Sequence, residues 1–453
     1  MKINQTLTFD QLAEGIDQLS EIIKIKAKSL NANYDPQKGS PVFTVEGKYT
    51  TRGWTEWTQG FQYGISILGF ELTGDEELLR IGKEKTLNEM AHHLSHFGVH
   101  DHGFNNISTY GNLLRLSNQG KFEASEWEKE FYRLALKMSA SVQAKRWTNI
   151  PEGGYLYSFN GPHSLFIDTI RTARILLLGH QLGHRMLEEN DQQVDLLNRA
   201  VQHAMVSAKY LVYYGEGRDS YDERGRVSHE GIFNTNDGNY RCPNAQQGFS
   251  GFTTWTRGLA WAMVGFSEFI EFIDAHKSAV KDYANVRETL MKAAQATCDF
   301  YIDNSAADGI TYWDTGAPKL HLLGDWRNRD AEPYNDFEPV DSSASAIGAQ
   351  GMLRLGRLLL ADDPQLSKKY TQAGLTTLQA LLTDEYTAQD VNHQGLLLHT
   401  IYHEPNGWDH KPQEGKAAAG ESSMWGDYHL VELAVLAKSI ANNGYYRYFD
   451  DIK

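Results

Sequence analysis

The 453-residue chain is predicted to fold as an all-α (α/α)6 barrel, one domain over 1–453 with an inner and an outer ring of helices. Three observations carry that prediction. Apolar residues recur at helical spacing in about twelve segments that group into six pairs. Polar loops of roughly 20 to 40 residues fall between pairs rather than inside them. No run alternates convincingly as a strand would, no Pro/Ser linker divides the chain, and no fixed-period repeat supports a solenoid.

Phe9, Leu12, Ile16, Leu19, Ile22 and Ile23 set the first helix, which opens after Thr8. A second covers roughly 56–72, and Thr73-Gly74-Asp75 ends it and caps a third that runs to about Phe97. A shorter helix fits 106–117 and another 125–142, whereas 145–163 holds Pro, Gly and Asn and reads as loop. Helical spacing resumes over 164–184 and 191–213, and 214–250 is polar with Gly, Asn and Asp throughout. Segments 252–273, 280–303, 341–361, 364–384 and 422–442 complete the set. Of these, 252–273 and 341–361 are apolar and rich in Gly and Ala, which suits the inner ring. A closed ring gathers the long loops at one end, and that end is the expected site.

A net charge of -15 argues against a nucleic-acid backbone or an anionic membrane as partner. The first 29 residues lack the apolar core of a signal peptide, and no run is long enough to span a bilayer. The chain therefore reads as soluble and cytoplasmic, or periplasmic where an export signal has been removed. Cys242 and Cys298 show no metal or redox spacing and are expected to be free thiols. Ten Trp and 23 Tyr, several in loops with Gly, Asn and His, suit surfaces that pack on the C–H faces of sugars.

The stretch Gln247-Gly-Phe-Ser-Gly-Phe-Thr-Thr-Trp255-Thr-Arg257-Gly-Leu-Ala-Trp261 runs from a loop into a long apolar helix. It brings an amide, two indoles and a guanidinium together, which is equipment for a sugar that carries a carboxylate. Arg257 offers a planar fork to an anion, and Trp255 and Trp261 would flank a pocket. The same residues would equally make an Arg stacked between two structural tryptophans.

In His100-Asp101-His102-Gly103-Phe104 the glycine gives backbone room for aiming a side chain at a ligand. His92 and His96 have the spacing of a zinc pair, but no Glu follows the first, so no metal is expected. Asp168 opens a helix. It either answers the helix dipole or, beside the apolar 165–167, is partly buried with a raised pKa that makes it a general acid. His229 and Gln247 are loop donors, and Asp341-Ser-Ser-Ala-Ser-Ala reads as a capped helix start. Trp425-Gly-Asp427-Tyr428 fits either a structural or a functional reading.

In chain order, Trp57-Thr-Gln-Gly60-Phe61, His100-Asp101-x-Gly103-Phe104, Ile167-Asp168, Gln247-Gly-Phe and Trp255-x-Arg257-Gly-x-Ala-Trp261 form a connected set of motifs. Tyr312-Trp313-Asp314 with Ala317-Pro318, Asp341-Ser-Ser-Ala-Ser-Ala, Leu397-Leu-His399 and Trp425-Gly-Asp-Tyr extend it. Together they resemble the unsaturated glucuronyl hydrolases, glycoside hydrolase family 88, with the unsaturated rhamnogalacturonyl hydrolases as relatives. The likeness runs from about residue 50 to 440. It implies the same barrel, no cofactor, and an oligosaccharide partner bearing a terminal uronic acid. It further implies Asp168 as general acid/base and Asp101 as a second essential carboxylate. Trp57, His100, His229, Gln247, Trp255, Arg257 and Trp261 would then line the uronate subsite. The implied reaction protonates C4 of a 4,5-unsaturated uronic acid and adds water at C5, and the hemiketal so formed releases the aglycone.

This chain departs from the family where Asp168 is followed by Thr-Ile-Arg171-Thr-Ala-Arg174 instead of an Asn and a Pro. Arg171 and Arg174 are therefore expected to add positive charge to the pocket and contact substrate. Three other readings stay open. One is a β-glucuronidase using the Asp101 and Asp168 pair, whose separation would set the stereochemistry. Another is a sugar epimerase using His229 and His399. The last is a carbohydrate-binding barrel without catalysis, against which speaks the desolvation cost of idle charges in a groove.

Overall fold

The computed structural model describes residues 1–53 and 56–453, and its helices follow the predicted order. They begin with α1 (Ala13–Asn33), α2 (Gln59–Thr73), α3 (Glu76–Glu89) and the short α4 (Ala91–Leu94). Next, α5 (His102–Asn106) and α6 (Asn112–Asn118) are joined through a π-type turn, Ile107–Gly111, into one helix. After α7 (Glu126–Lys145), α8 (Thr169–Thr172) and α9 (Arg174–Gln181) again run on from each other. α10 (Leu196–Tyr210), α11 (Thr256–Ala275), α12 (Tyr283–Asp303), α13 (Ser342–Leu359), α14 (Pro364–Leu381) and α15 (Met424–Ala441) follow.

Packing between these helices closes a ring. α2 lies on α15, α15 on α13, α13 on α11, α11 on α8, α8 on α5, and the π-type turn returns to α2. α1, α3, α7, α10, α12 and α14 each pack outside that ring, so inner and outer helices alternate along the chain as an (α/α)6 barrel does. Sequence explains the division. α2, α11, α13 and α15 are apolar almost all round and nearly every residue in them is buried, whereas an outer helix needs only one apolar stripe. Two glycines let the inner helices touch backbone to backbone near the site. A Cβ on Gly103 would fall 2.1 Å from the Thr172 carbonyl oxygen, and one on Gly60 2.3 Å from that of Asn105.

The caps match the sequence where its signals were strong. Asp75 accepts from the amides of Glu77 and Leu78 at the start of α3, and Ser125 with Glu128 forms a capping box on α7. The loops differ from expectation, because they hold short antiparallel strands. These are β1 (Phe43–Val45) with β2 (Lys48–Thr50), β3 (Trp147–Ile150) with β4 (Gly153–Leu156), β5 (Ser164–Phe166), and β6 (Met186–Leu187) with β7 (Gln193–Val194). β8 (Glu230–Phe233) pairs with β5 on one side and β9 (Tyr240–Asn244) on the other. Strands of two to five residues are too short for alternation to show. Residues 164–166, expected as the first turn of a helix, are β5, with Ser164 opposite Ile232. That pairing positions the site, since the Ile167 amide donates to the His229 carbonyl and brings Asp168 beside His229.

At the far end of the barrel the C-terminal segment forms a floor, with Tyr446, Tyr448, Phe449 and Ile452 buried.

Candidate active site

Among the described residues, the six inner helices all begin at the same end, and residues at the starts of α2, α5, α8 and α11 line a cavity of about 320 Å³. Trp57, His100, Asp101, Asp168, Gln247, Trp255, Arg257 and Trp261 line it. His229 stands just behind, its ring 4.6 Å from that of Trp255 and 4.4 Å from that of Phe166. Helix N-termini present unpaired N–H groups and the positive end of the macrodipole, which here face the carboxylates of Glu56, Asp101 and Asp168 in the lining.

Three aspartates occupy N-cap positions of inner helices, and they differ in what they do there. Asp341 caps α13 in the ordinary way, accepting from the amides of Ser343 and Ala344. Asp101 before α5 and Asp168 before α8 make no capping bond. Their carboxylates are turned instead toward His100. Its Nε2 lies 3.1 Å from Asp168 Oδ1 and 3.8 Å from Asp101 Oδ1.

The shared imidazole splits the two acids. Burial pushes the Asp101 carboxyl up to about 6, opposed by His100 and reinforced by the charge of Asp168. Burial would also raise Asp168, yet its hydrogen bond to His100 and the charge of that ring outweigh it, and Asp168 sits below its ordinary value. The raised Asp168 expected from its apolar neighbours is thus corrected, because those neighbours are less decisive than a histidine 68 positions earlier. His100 itself is raised despite burial, since both carboxylates favour its charged form.

His229 has the opposite character. Its Nδ1 accepts from the amides of Gln246 and Gln247 at 3.0 and 3.2 Å, which places the ring proton on Nε2. Burial lowers its pKa to about 4, so the ring is neutral. Nε2 has no protein partner and is a free donor beside Asp168.

Arg257 is less open than expected. One terminal nitrogen donates to Asp341 Oδ2 at 2.7 Å and to the Ile401 carbonyl, the other to Gln247 Oε1 at 2.8 Å and to the Tyr402 carbonyl at 2.9 Å. Its planar group lies 4.6 Å from the Trp255 ring and 4.9 Å from the Trp425 ring. The second stacking indole is therefore Trp425 and not Trp261, which sits deeper against Phe104 and His429. Because Arg257 occupies the Gln247 oxygen, the Gln247 NH2 group is turned away from it and free to donate.

Arg171 and Arg174, expected in the pocket, do not reach it. Both are fully buried in the barrel interior below the cavity. Arg171 donates to Glu268 at 3.1 and 3.2 Å and to Glu432 at 2.7 Å, and Arg174 donates to Glu268 at 3.0 Å. On a helix that starts at Asp168, positions three and six further along point down the barrel and away from its mouth. Arg354 joins the cluster, 3.5 Å from Glu268 and 2.8 Å from Glu271. The positive charge expected from these arginines is neutralised there.

His399 also lies outside the lining, its nitrogens held by the Glu385 carbonyl and the Gly420 amide. It cannot pair with His229 as an epimerase would require. Among the described residues no group of three or more His, Cys, Asp or Glu could hold a metal, and both cysteines are free.

Sequence reasoning missed several lining residues, among them Glu56, Phe159, Tyr402, His403, Asn406 and Trp408. The last four come from one loop that Asp409 folds by accepting from the amides of Tyr402 and His403, its carboxyl pushed up to about 7 by burial. The clustering of His403, Asn406 and Trp408 beside Gly407 was the signal available.

The model for Glycosyl Hydrolase Family 88 matches residues 37–301. The chain is 28% identical over 407 residues to the unsaturated glucuronyl hydrolase of Bacillus sp. strain GL1, covering 88% of this chain and 90% of that protein. It is 22% identical over 436 residues to the unsaturated chondroitin disaccharide hydrolase of Streptococcus pyogenes serotype M1, covering 94% and 91%. The solved structure of the Bacillus sp. GL1 enzyme superposes with a TM-score of 0.70 at 24% identity over 95% of this chain and 99% of that one, a likeness of fold. With a family model covering more than half its length on this barrel, the chain belongs to Glycosyl Hydrolase Family 88 and is a glycoside hydrolase.

Proposed function

We propose that this enzyme is exo-acting and removes a terminal 4,5-unsaturated glucuronyl residue from oligosaccharides by hydrating its C4=C5 bond. The observation that carries this reading is the pair of buried carboxylates, one with its proton affinity raised and the other with it lowered, joined through His100 in a cavity at the start of inner helices. Relatives named for unsaturated uronides support the substrate class.

In this reading the substrate carboxylate takes up the helix N-termini and the donor Gln247 Nε2, while His229 Nε2 lies behind the wall beside Asp168. Trp57 and Trp261 supply apolar surface for the sugar ring, and Asn406 and Trp408 meet the aglycone side. Asp168 delivers a proton to C4, drawn from the imidazolium to which it is bonded. The π electrons of C4=C5 form the new C–H bond, and the ring oxygen stabilises the cation left at C5. Water adds at C5 and returns a proton to Asp168. The C5 hemiketal opens to a ketone, and the C1 hemiacetal collapses to an aldehyde with loss of the aglycone alcohol.

A second reading has its own support: Asp101, pushed up to about 6, is the acid that carries a proton near neutrality. Variants separate the two. Loss of the ultraviolet band of a lyase-generated unsaturated disaccharide is followed for Asp168→Asn and Asp101→Asn, with a saturated aryl β-glucuronide as control. The first reading expects Asp168→Asn to lose about 10³-fold in kcat with binding retained. If instead Asp101→Asn alone abolishes turnover, the acid is Asp101. Colour release from the saturated glucuronide without loss of the band would refute hydration and favour a two-carboxylate displacement.

A further inference from the structure

Outer helix α7 carries apolar residues on both of its faces. Tyr132, Ala135, Leu136 and Ser139 are buried against the barrel. On the opposite side Trp127 is 74% exposed, Leu134 53% and Met138 44%. Offsets of seven and four residues place these three on a single stripe. Leu187, on β6, which packs against α7, is 66% exposed near the helix's C-terminal half. An outer helix has only solvent beyond it, so a second apolar stripe has no use within the fold.

The charges along one flank of the stripe have an order. Glu126 and Glu130 lie toward the N-terminus of α7, and Lys137 toward its C-terminal half. Glu130 keeps an intrahelical contact with Arg133 at 2.8 Å while its side chain stays 62% exposed. Such a surface is complementary to its own inverse. When two copies of α7 are laid antiparallel about a two-fold axis at Leu134, Leu134 meets itself and Trp127 lies over the partner's Ser141, just under one turn beyond Met138. A two-fold axis at that place keeps each flank on its own side, so Glu130 faces the partner's Lys137 within one residue's rise. The helix dipoles are then antiparallel as well. A two-fold parallel arrangement carries each flank to the opposite side of the interface, so Glu130 no longer faces the partner's Lys137.

We propose that this chain forms a two-fold symmetric homodimer through the outer face of α7, with Leu134 on the axis and Glu130 paired to the partner's Lys137. A contact centred on one helix is at the small end of specific interfaces, so dissociation is expected at about 10 µM. The active site takes no part in it.

Sedimentation velocity on the full chain from about 1 to 200 µM tests this, because the dimer fraction follows mass action. The weight-average mass should rise toward twice the monomer value. Leu134→Glu should hold the protein monomeric throughout. Glu130→Lys and Lys137→Glu should each weaken dimerisation about tenfold or more, and the double variant Glu130→Lys/Lys137→Glu should return it close to the unaltered protein. Melting curves show that each variant is folded. A monomer at every concentration, a dimer indifferent to Leu134→Glu, or a double variant as weak as the single ones would overturn the proposal.

Discussion

Replacing Asp341 by Asn changes one charge and little else, and the structure gives the cost of that change. Asp341 does two jobs with two oxygens. Oδ1 caps α13 through the amides of Ser343 and Ala344 at 3.1 and 3.4 Å, and Oδ2 faces Arg257 at 2.7 Å. Asparagine caps a helix about as well as aspartate, so the first job survives. The second does not, because Arg257 is buried and its remaining partners are neutral. Breaking a buried ion pair from one side costs about 3–5 kcal/mol, and the surviving carbonyl acceptors put Asp341→Asn near the low end, about 3 kcal/mol. Asp341→Ala loses the cap too and should cost about 1 kcal/mol more. Since Arg257 also holds Gln247 and stacks on Trp255, kcat/KM should fall at least about tenfold. Urea denaturation reads the stability from the shift in midpoint at constant slope, and disappearance of the unsaturated-uronate band reads the activity. An Asp341→Asn protein within about 1 kcal/mol of the unaltered one, at full activity, would show that this ion pair neither stabilises the barrel nor orients the cavity wall.

Two further outcomes follow from the buried charges. Glu268→Gln leaves Arg171, Arg174 and Arg354 short of one carboxylate, and should cost about 3–5 kcal/mol while leaving KM unchanged, since the cluster lies below the cavity. Burial opposes the ionised form of Glu268, but the three arginines outweigh it and hold its carboxyl below the ordinary value. Its contribution is therefore present above the unfolded glutamate pKa and lost as pH falls through the folded one, and Glu268→Gln should flatten the acid limb of melting temperature against pH. Asp101 has the opposite sign. With its folded pKa raised to about 6, ionising it costs stability as pH rises through that value. Asp101→Asn should therefore melt higher than the unaltered protein at pH 8 by an amount worth about 2–3 kcal/mol, and show no such gain at pH 4. Calorimetry at the two pH values checks this.

Helix order was legible because long apolar stripes carry their own period, and the Thr73-Gly74-Asp75 boundary because its cap is local. The strands were not, since β6 and β7 have two residues each and pair only because the loops bring them together. The two cavity aspartates were identified from helix starts and from family resemblance, but their protonation was not, because the deciding group for Asp168 is His100, 68 positions away. Arg171 and Arg174 were misplaced for the same kind of reason. They stand beside Asp168 in sequence, while their counter-charges Glu268 and Glu432 lie 94 to 261 positions further on. Arg257 was read as open because Asp341, 84 positions away, gave no sign of facing it.

The common polarity of the inner helices also sorts the connections. Those entering an inner helix are long, as in 34–58, 146–168, 211–255, 304–341 and 382–423. Those leaving one are mostly brief, such as Gly74-Asp75, 276–282 and 360–363. Recognition and scaffolding are therefore carried by different parts of the chain. Lengthening or exchanging an entering loop reshapes what the mouth admits and leaves the turns that set the helix pairs untouched. The barrel can thus be retuned to new saccharides by loop replacement, and 382–423, which supplies Tyr402, His403, Asn406 and Trp408 from one continuous stretch, is the segment to exchange first.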